Sequence, residues 1–183
     1  MSGLMRIGRL TKRTGVLGPG WRTAVWLQGC TLGCKGCWNK GMWPVEGGEV
    51  MSVDKVLEFI IAESGTEGVT FIGGEPLQQA EALLELLLLI RDETEKSIMI
   101  YTGYEMEELN ETQQSCLSLA DIIVSGRYVE SLRDLGLIWR GSSNQEVTFV
   151  TERYDEDEME ESRQVEVHVS KDGGIVIYGF PDG

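Results

Sequence analysis

Short, mainly apolar runs recur along the first two thirds of the chain, and a glycine, a threonine or a serine follows each of them within two residues. They are too uniformly apolar to be strands with one face in water, so we predict strands that are buried on both faces. Parallel sheets covered by helices contain strands of this kind. The predicted strands are Thr23–Leu27, Val69–Ile72, Ser97–Tyr101 and Asp121–Val124.

Amphipathic segments lie between these runs. Ser52 is a suitable N-cap for a helix from Val53 to about Ser64, whose apolar positions fall on one face. A Leu-rich helix from about Gln78 to Arg91 is predicted to be covered on most sides, with residues 83–90 in the core. A short helix is predicted near Glu105–Leu109. The alternation of strand and helix predicts an α/β fold with a parallel sheet and covering helices.

The pattern changes near the C-terminus. An acidic stretch, Asp155–Glu161, is predicted to be a solvated loop. Two β-rich runs, Val165–Val169 and Ile175–Tyr178, flank Lys171-Asp172-Gly173-Gly174 and predict a β-hairpin.

The length of 183 residues, 42% of them hydrophobic, suits one compact domain that needs no disulfides. Within it we distinguish a core, residues 1–150, and an appended acidic loop and hairpin, residues 151–183. The longest apolar run, Leu86–Ile90, is too short to span a membrane. A glycine-rich segment, residues 15–20, stands where a secretory signal would place its apolar part, so we expect a cytoplasmic protein.

Thirty acidic residues against 16 basic ones give a net charge of −14 and a pI near 4.5. The electrostatic field of a protein with this negative charge repels phosphate backbones and acidic lipid surfaces. We therefore expect neither a nucleic acid nor a membrane as the main partner.

Three of the four cysteines, Cys30, Cys34 and Cys37, lie within eight residues directly after the first predicted strand. In a reducing compartment they are better explained as metal ligands than as disulfide partners. Three ligands leave one coordination position open, whereas structural zinc sites usually have four protein ligands and iron–sulfur clusters usually have four cysteines. Zinc and an iron–sulfur cluster with one open iron both remain possible on spacing alone. Cys116 is predicted to be a buried structural cysteine.

Loops with unusual sequences follow the other predicted strands: Gly73-Gly74-Glu75-Pro76, Thr102-Gly103-Tyr104 and Ser125-Gly126-Arg127. Parallel strands present their carboxyl ends at one edge, so these loops and the cysteines are expected to form a single site. Each loop alone is a weak signal. The single histidine, His168, is predicted to have a surface or packing role, and no Ser–His or Cys–His arrangement or P-loop points to hydrolysis.

Taken together, a Cys-x3-Cys-x2-Cys loop after one strand and a Gly-Gly-Glu-Pro loop after the next resemble the radical S-adenosylmethionine enzymes. Further stretches are similar to the activating proteins of anaerobic ribonucleotide reductase, and the matches run in order from about Thr23 to Gln145. These stretches are Trp38-Asn39-Lys40, Thr102-Gly103-Tyr104, Val124-Ser125-Gly126-Arg127-Tyr128 and Trp139-Arg140-Gly141-Ser142-Ser143-Asn144-Gln145.

The resemblance implies a partial (β/α) barrel of the radical S-adenosylmethionine type, with a 4Fe-4S cluster and S-adenosyl-L-methionine as cofactors. Three irons would be bound by the cysteines, and the fourth would take the methionyl amine and carboxylate. Gly73 and Gly74 would let the backbone approach the ligand closely, and Glu75 would accept a hydrogen bond from its amino group. The metal ligands would be Cys30, Cys34 and Cys37.

The resemblance also assigns four further cofactor contacts. Gly36 and Trp38 flank the last cysteine, where the family's backbone meets the adenine. Arg127 stands where relatives place a basic residue over the carboxylate. Ser125 stands where the related proteins usually carry aspartate, so a carboxylate contact there is weakened or replaced by a hydroxyl.

The implied activity is that of a glycyl-radical-enzyme activase. It would abstract a hydrogen from a glycine of a large partner, foremost anaerobic ribonucleotide reductase, with a flavodoxin- or ferredoxin-like protein as electron donor. One alternative is a radical enzyme that modifies a peptide or a small molecule. A second alternative, from another class, is a non-catalytic metal-binding interaction module.

Overall fold

A seven-stranded mixed sheet forms the frame of the protein in the computed structural model, which describes residues 2–160, 165–169 and 173–179. The strand order across the sheet is β3-β1-β2-β4-β5-β6-β7. The central strands β2, β4, β5 and β6 are parallel, and the other three pair antiparallel at the two edges. The strands are β1 (Leu4–Thr14), β2 (Arg22–Leu27), β3 (Glu49–Ser52), β4 (Gly68–Gly73), β5 (Ser97–Tyr101), β6 (Ile122–Ser125) and β7 (Glu146–Phe149).

Three helices cover one face of this sheet: α1 (Val53–Ala62), α2 (Ala80–Glu93) and α3 (Glu111–Ser118). The prediction that Ser52 caps α1 is confirmed, because its hydroxyl accepts a hydrogen bond from the Lys55 N–H at 3.4 Å. The mainly parallel centre and the covering helices confirm the α/β class. In the parts of the chain that the structure describes, no helix is long and apolar enough to cross a membrane.

The two faces of the sheet support separate apolar clusters. The cluster under the helices contains Leu83 and Ile90 of α2, both fully buried, so the predicted core position of this helix is confirmed. The cluster on the opposite face contains Trp26, Tyr101 and Trp139, and we call this side of the sheet, which α1, α2 and α3 leave uncovered, the helix-free face.

The prediction that α2 is covered on most sides is confirmed, since its exposed positions, among them Leu88 at 52%, lie along one stripe of the helix. The element type was wrong in another segment. The predicted helix Glu105–Leu109 is one 3₁₀ turn, Met106–Glu108, since a capping box between Glu105 and Glu108 is followed by extended backbone at Leu109.

The acidic stretch is not wholly a loop. Its residues 157–160 form a short helix, α4 (Asp157–Glu160), and Met159 packs with Tyr154 against the apolar cluster of the helix-free face. Met159 gives the stretch a partly buried side, and Tyr154 lies directly before the stretch. Glu161, its last residue, lies outside the described residues.

The predicted β-hairpin is confirmed: β8 (Val165–Val169) pairs antiparallel with β9 (Ile175–Gly179). Lys171 and Asp172 of its predicted turn lie outside the described residues. The hairpin packs on the helix-free face through Tyr178, whose ring centroid is 6.4 Å from that of Trp26.

Candidate functional site

One cavity lies where the loops after the four parallel strands meet. It holds about 710 Å³ of space that protein atoms do not fill, part of it open to solvent. As predicted from the strand ends, each of the four loops contributes to its lining. The contributing residues include Cys30, Cys34, Cys37, Gly73, Gly74, Glu75, Thr102, Gly103 and Gly126.

The cysteine loop begins where β2 ends and is held by backbone hydrogen bonds. The Cys30 N–H donates to the Trp43 carbonyl at 3.0 Å, and the Cys37 N–H donates to the Cys34 carbonyl at 3.1 Å. All three thiols are free and partly exposed. Burial raises the pKa of the Cys30 and Cys34 thiols above the ordinary value.

The donor set fits a 4Fe-4S cluster with one open iron. Three unpaired thiols from one loop line one cavity, and the Asn39 N–H already donates to the Cys37 sulfur at 3.4 Å. Hydrogen bonds to the sulfur ligands are one way in which proteins stabilise and tune such clusters. Among the described residues, no three His, Cys, Asp or Glu side chains converge on the position of a single metal ion.

Glu75 lies beneath the cavity, only 1% exposed, and its carboxylate accepts three hydrogen bonds. The donors are the Thr102 hydroxyl at 2.9 Å, the Leu77 N–H at 3.0 Å and the Gly103 N–H at 2.7 Å. Burial nevertheless raises the pKa of Glu75 to about 7. Glu75 therefore joins the loop after β4 to the loop after β5, a role that the sequence did not indicate.

Gly73 and Gly74 line the cavity, but their lack of a side chain serves the fold. A Cβ on Gly73, whose φ is +111°, would stand 2.7 Å from the Leu27 carbonyl oxygen. A Cβ on Gly74 would stand 2.3 Å from the Gly29 carbonyl oxygen. The chain therefore needs glycine here so that the loops after β2 and β4 can lie backbone to backbone.

Trp38 also lines the cavity, and its ring is held on two sides. Its centroid is 5.1 Å from that of Tyr128 in an edge-on arrangement, and the Arg133 guanidinium lies 4.9 Å above it. Gly36 lies outside the cavity lining, beside the Glu130 carboxylate.

Ser125 and Arg127 do not line the cavity as the structure describes it. Ser125 is the buried last residue of β6. The Arg127 guanidinium is bidentate with the Glu108 carboxylate, at 2.6 and 2.8 Å. Its charge partly offsets the burial that raises the pKa of Glu75, so Arg127 influences the cavity from its rim.

Comparison with known proteins decides the family. Residues 16–148 match a family profile described as "4Fe-4S single cluster domain". The chain is 38% identical over 139 residues to the anaerobic ribonucleoside-triphosphate reductase-activating protein of Escherichia coli (strain K12), covering 72% of this chain and 90% of that protein. The chain belongs to this family of activating proteins.

Other members of the activating-protein family are similar over the same extent. The protein of that name from Vibrio cholerae is 35% identical, with 71% of this chain and 88% of the relative covered. That from Enterobacteria phage T4 is 33% identical, with 71% and 85% covered. The solved structure of QueE from Escherichia coli covers 67% of this chain and 70% of its own at 20% identity and a TM-score of 0.48, a similarity too low to bear on fold or function.

The structure also shows roles of two residues in this chain that the sequence motifs did not reveal. The Gln145 amide accepts from the Gly141 N–H at 2.9 Å and donates to the Gly126 carbonyl at 3.0 Å. It thereby fixes the loop before β7 against the loop after β6. Tyr101 lines the cavity too, yet in the sequence it looked like the last residue of a buried strand.

The remaining two predictions about single residues are confirmed. Cys116 is fully buried in the cluster under the helices, where its thiol contacts the Ala80 carbonyl at 3.4 Å. His168 has a packing role: its Nε2 lies 2.8 Å from a Glu166 carboxylate oxygen, and its ring makes an edge-on contact with the Tyr178 ring.

Proposed function

We propose that this chain is the activase of an anaerobic ribonucleotide reductase and removes one hydrogen atom from a glycine of that partner. The observation that carries the proposal is the meeting of the cysteine loop with Gly73, Gly74 and Glu75 at one cavity. The family supplies the identity of the partner. The site supplies the residues for the chemistry.

The residue roles are part of the proposal. Cys30, Cys34 and Cys37 would hold three irons of a 4Fe-4S cluster. When bound, the cluster supplies one electron that splits S-adenosyl-L-methionine into methionine and a 5′-deoxyadenosyl radical, which takes the hydrogen of the glycine. The protein's part is to place the reactants and to exclude competing reactions.

The remaining residues would orient S-adenosyl-L-methionine. Glu75 would accept a hydrogen bond from its amino group, and Trp38, with the backbone of Gly36, would contact the adenine. Arg127 would have to leave Glu108 to reach the carboxylate, and Ser125 would offer a hydroxyl where relatives carry aspartate. The Trp38 position is supported by its place in the cavity lining.

A protein substrate needs access to the cavity. We propose that the sheet curves into a partial (β/α) barrel, and the open side of such a barrel would provide this access. β3 and β7 end the sheet across the described residues, so the sheet has two separate edges. An open side would admit a loop of the partner. We propose that residues 1–150 carry this chemistry and that residues 151–183 are an appendage of the same domain.

Partners and location complete the proposal. A flavodoxin- or ferredoxin-like protein would deliver the electron in the cytoplasm. The net charge of −14 supports the expectation that nucleic acids and membranes are not partners.

The test is anaerobic reconstitution of the cluster, followed by dithionite and S-adenosyl-L-methionine with and without a purified anaerobic ribonucleotide reductase from the same organism. We expect 5′-deoxyadenosine by chromatography and a glycyl radical signal by electron paramagnetic resonance. Cys34→Ala should abolish both products, whereas Cys116→Ala, which removes a buried thiol remote from the cavity, should keep both. A fully reconstituted chain that produces deoxyadenosine but no glycyl radical on the reductase would refute the proposed partner.

A further inference from the structure

One face of the C-terminal hairpin is apolar and exposed. Val167 of β8 pairs with Ile177 of β9. Val169 pairs with Ile175, and Val165 lies at the start of β8 on the same face, because side chains alternate along a strand. Each of the five side chains is between 41% and 69% exposed. We call these five side chains the outer hairpin face.

The opposite face of the hairpin holds it to the sheet. Glu166, His168 and Tyr178 alternate with the outer residues. The Glu166 carboxylate accepts a hydrogen bond from the Thr14 hydroxyl at 2.7 Å, and the Tyr178 ring packs on Trp26. A half-buried hairpin normally turns its apolar side inward. Here the wholly apolar face points outward, which indicates a surface that a partner covers.

Cationic side chains lie beside the hairpin. β1 carries four basic residues and no acidic one, although acids outnumber bases 30 to 16 in the chain. The Arg9 guanidinium lies 5.6 Å from the same Trp26 ring on which the hairpin packs. Arg13 stands between Thr11 and Thr14, and both threonine hydroxyls contact the hairpin. Both arginines are exposed, and neither forms a salt bridge within the described ranges.

The hairpin also lies next to the candidate site. Tyr178 packs on Trp26, and Trp26 pairs in the sheet with Ile72, which lines the cavity. A large protein that presents a glycine at the cavity can therefore reach the hairpin as well. The match to the family profile ends at residue 148, so the hairpin adds a surface to the shared core.

The size and the charge of this surface select the partner. A stand-alone interface takes about 20 to 30 residues from each side, and five side chains do not supply that for a second copy of this chain. A second copy would also bring a net charge of −14 against an equal charge. A small apolar contact is effective where the same partner is already held at a second place, which here is the cavity. The neighbouring arginines match acidic groups on that partner.

We propose that the outer hairpin face, with Arg9 and Arg13 beside it, is a docking surface for the reductase, an inference that rests on the proposed function. The partner surface that fits is an apolar patch bordered by carboxylates. The apolar contact slows dissociation, and the arginines speed association. The hairpin thus holds the reductase while its glycine is at the cavity.

The first test measures the affinity of the reconstituted chain for the full-length reductase. Val167→Thr combined with Ile177→Thr makes the outer hairpin face more polar and keeps β-branched side chains in the strands. We expect the affinity to fall at least about tenfold, whereas 5′-deoxyadenosine formed without the reductase stays at the wild-type amount. Val50→Thr is the matched control, a strand position 48% exposed in β3, and should keep the wild-type affinity.

The second test leaves the hairpin unaltered. Arg9→Gln combined with Arg13→Gln should slow association with the reductase at least about threefold at low salt and make the rate less dependent on salt. Lys55→Gln, at an exposed position of α1, is the control for loss of a surface cation. If faster proteolysis within residues 165–179 shows that the threonine variant has undocked its hairpin, the arginine variant decides.

Three results separate this inference from the proposed function. A wild-type chain that forms no glycyl radical on the reductase refutes the proposed function, and this inference with it. Glycyl radical formation together with wild-type binding in both the threonine and the arginine variants refutes the inference alone. A wild-type chain that sediments as a dimer, with a threonine variant that sediments as a monomer, would assign the outer hairpin face to a second copy and also overturn the inference.

Discussion

At the scale of single residues, the Glu75 carboxyl group couples the site to pH. Its pKa is raised from 4.5 to about 7 by burial, so between these values the folded chain keeps a proton that the unfolded chain has lost. Without cofactors, this group therefore favours folding most below pH 4.5, and its contribution falls as pH rises to about 7 and then levels off. The total loss is on the order of 3 kcal/mol.

Urea unfolding of the cofactor-free protein at pH 5 and pH 8 measures this effect. Other titrating groups change stability as well, so the informative quantity is the difference between the wild type and Glu75→Gln. We expect the wild type to lose more stability than the variant between the two pH values. Equal losses would show that Glu75 ionises normally in the folded chain.

Gly74 offers a second prediction at this scale. An alanine Cβ there would overlap the Gly29 carbonyl oxygen at 2.3 Å, and no side-chain rotation can move either atom away. We expect Gly74→Ala to cost at least about 2 kcal/mol of unfolding free energy and to reduce the iron bound after reconstitution. Gly65→Ala is the matched control, since its Cβ would have no neighbour within 4 Å. Equal stability of the two variants would contradict the close approach.

These residues show what a motif can predict. The cysteine loop and Glu75 were placed at one site from their spacing and their positions at strand ends, and the structure brings them to one cavity. The sequence could not show that Gly74 contacts Gly29, because that contact joins loops 45 positions apart. Nor could it show that Arg127 is paired with Glu108, an exposed residue without a motif of its own.

At the scale of elements, Arg22 holds the amino ends of three parallel strands together. It is fully buried in β2, and its guanidinium donates to Thr70 Oγ1 of β4 at 2.7 Å and to Ser97 Oγ of β5 at 2.8 Å. A lysine cannot reproduce the planar fork, so Arg22→Lys should cost about 3 kcal/mol in chemical denaturation. Arg153→Lys, at an exposed position, should change stability by less than about 0.5 kcal/mol. Similar losses in the two variants would argue against this role.

The elements that the sequence revealed are those with a strong physical pattern. The central strands are continuous apolar runs, and β2 is buried at all six positions. The antiparallel strands β1 and β3 were missed because β1 mixes exposed and buried positions and carries Arg6, Arg9 and Lys12, while β3 has no buried residue. Such strands depend on their neighbours for pairing more than on their own composition.

At the scale of the whole molecule, the C-terminal hairpin lies on the helix-free face of the sheet. Its sequence predicted the pairing of β8 with β9 but not where the hairpin docks, because docking depends on contacts with β1 and β2. Glu166 accepts hydrogen bonds from the Thr14 hydroxyl at 2.7 Å and from the Gly15 N–H at 3.0 Å. Tyr178 supplies the apolar part of the contact.

Tyr178 should therefore decide whether the hairpin stays docked. Its ring is 7% exposed and packs against Trp26, and replacing a buried aromatic ring by alanine typically costs about 3–5 kcal/mol. We expect Tyr178→Ala to undock the hairpin without unfolding the sheet, so that proteolysis within residues 165–179 becomes at least about tenfold faster. Val169→Ala, at a position 69% exposed, should leave the rate unchanged. If both variants are cut at the wild-type rate, other contacts such as those of Glu166 hold the hairpin in place.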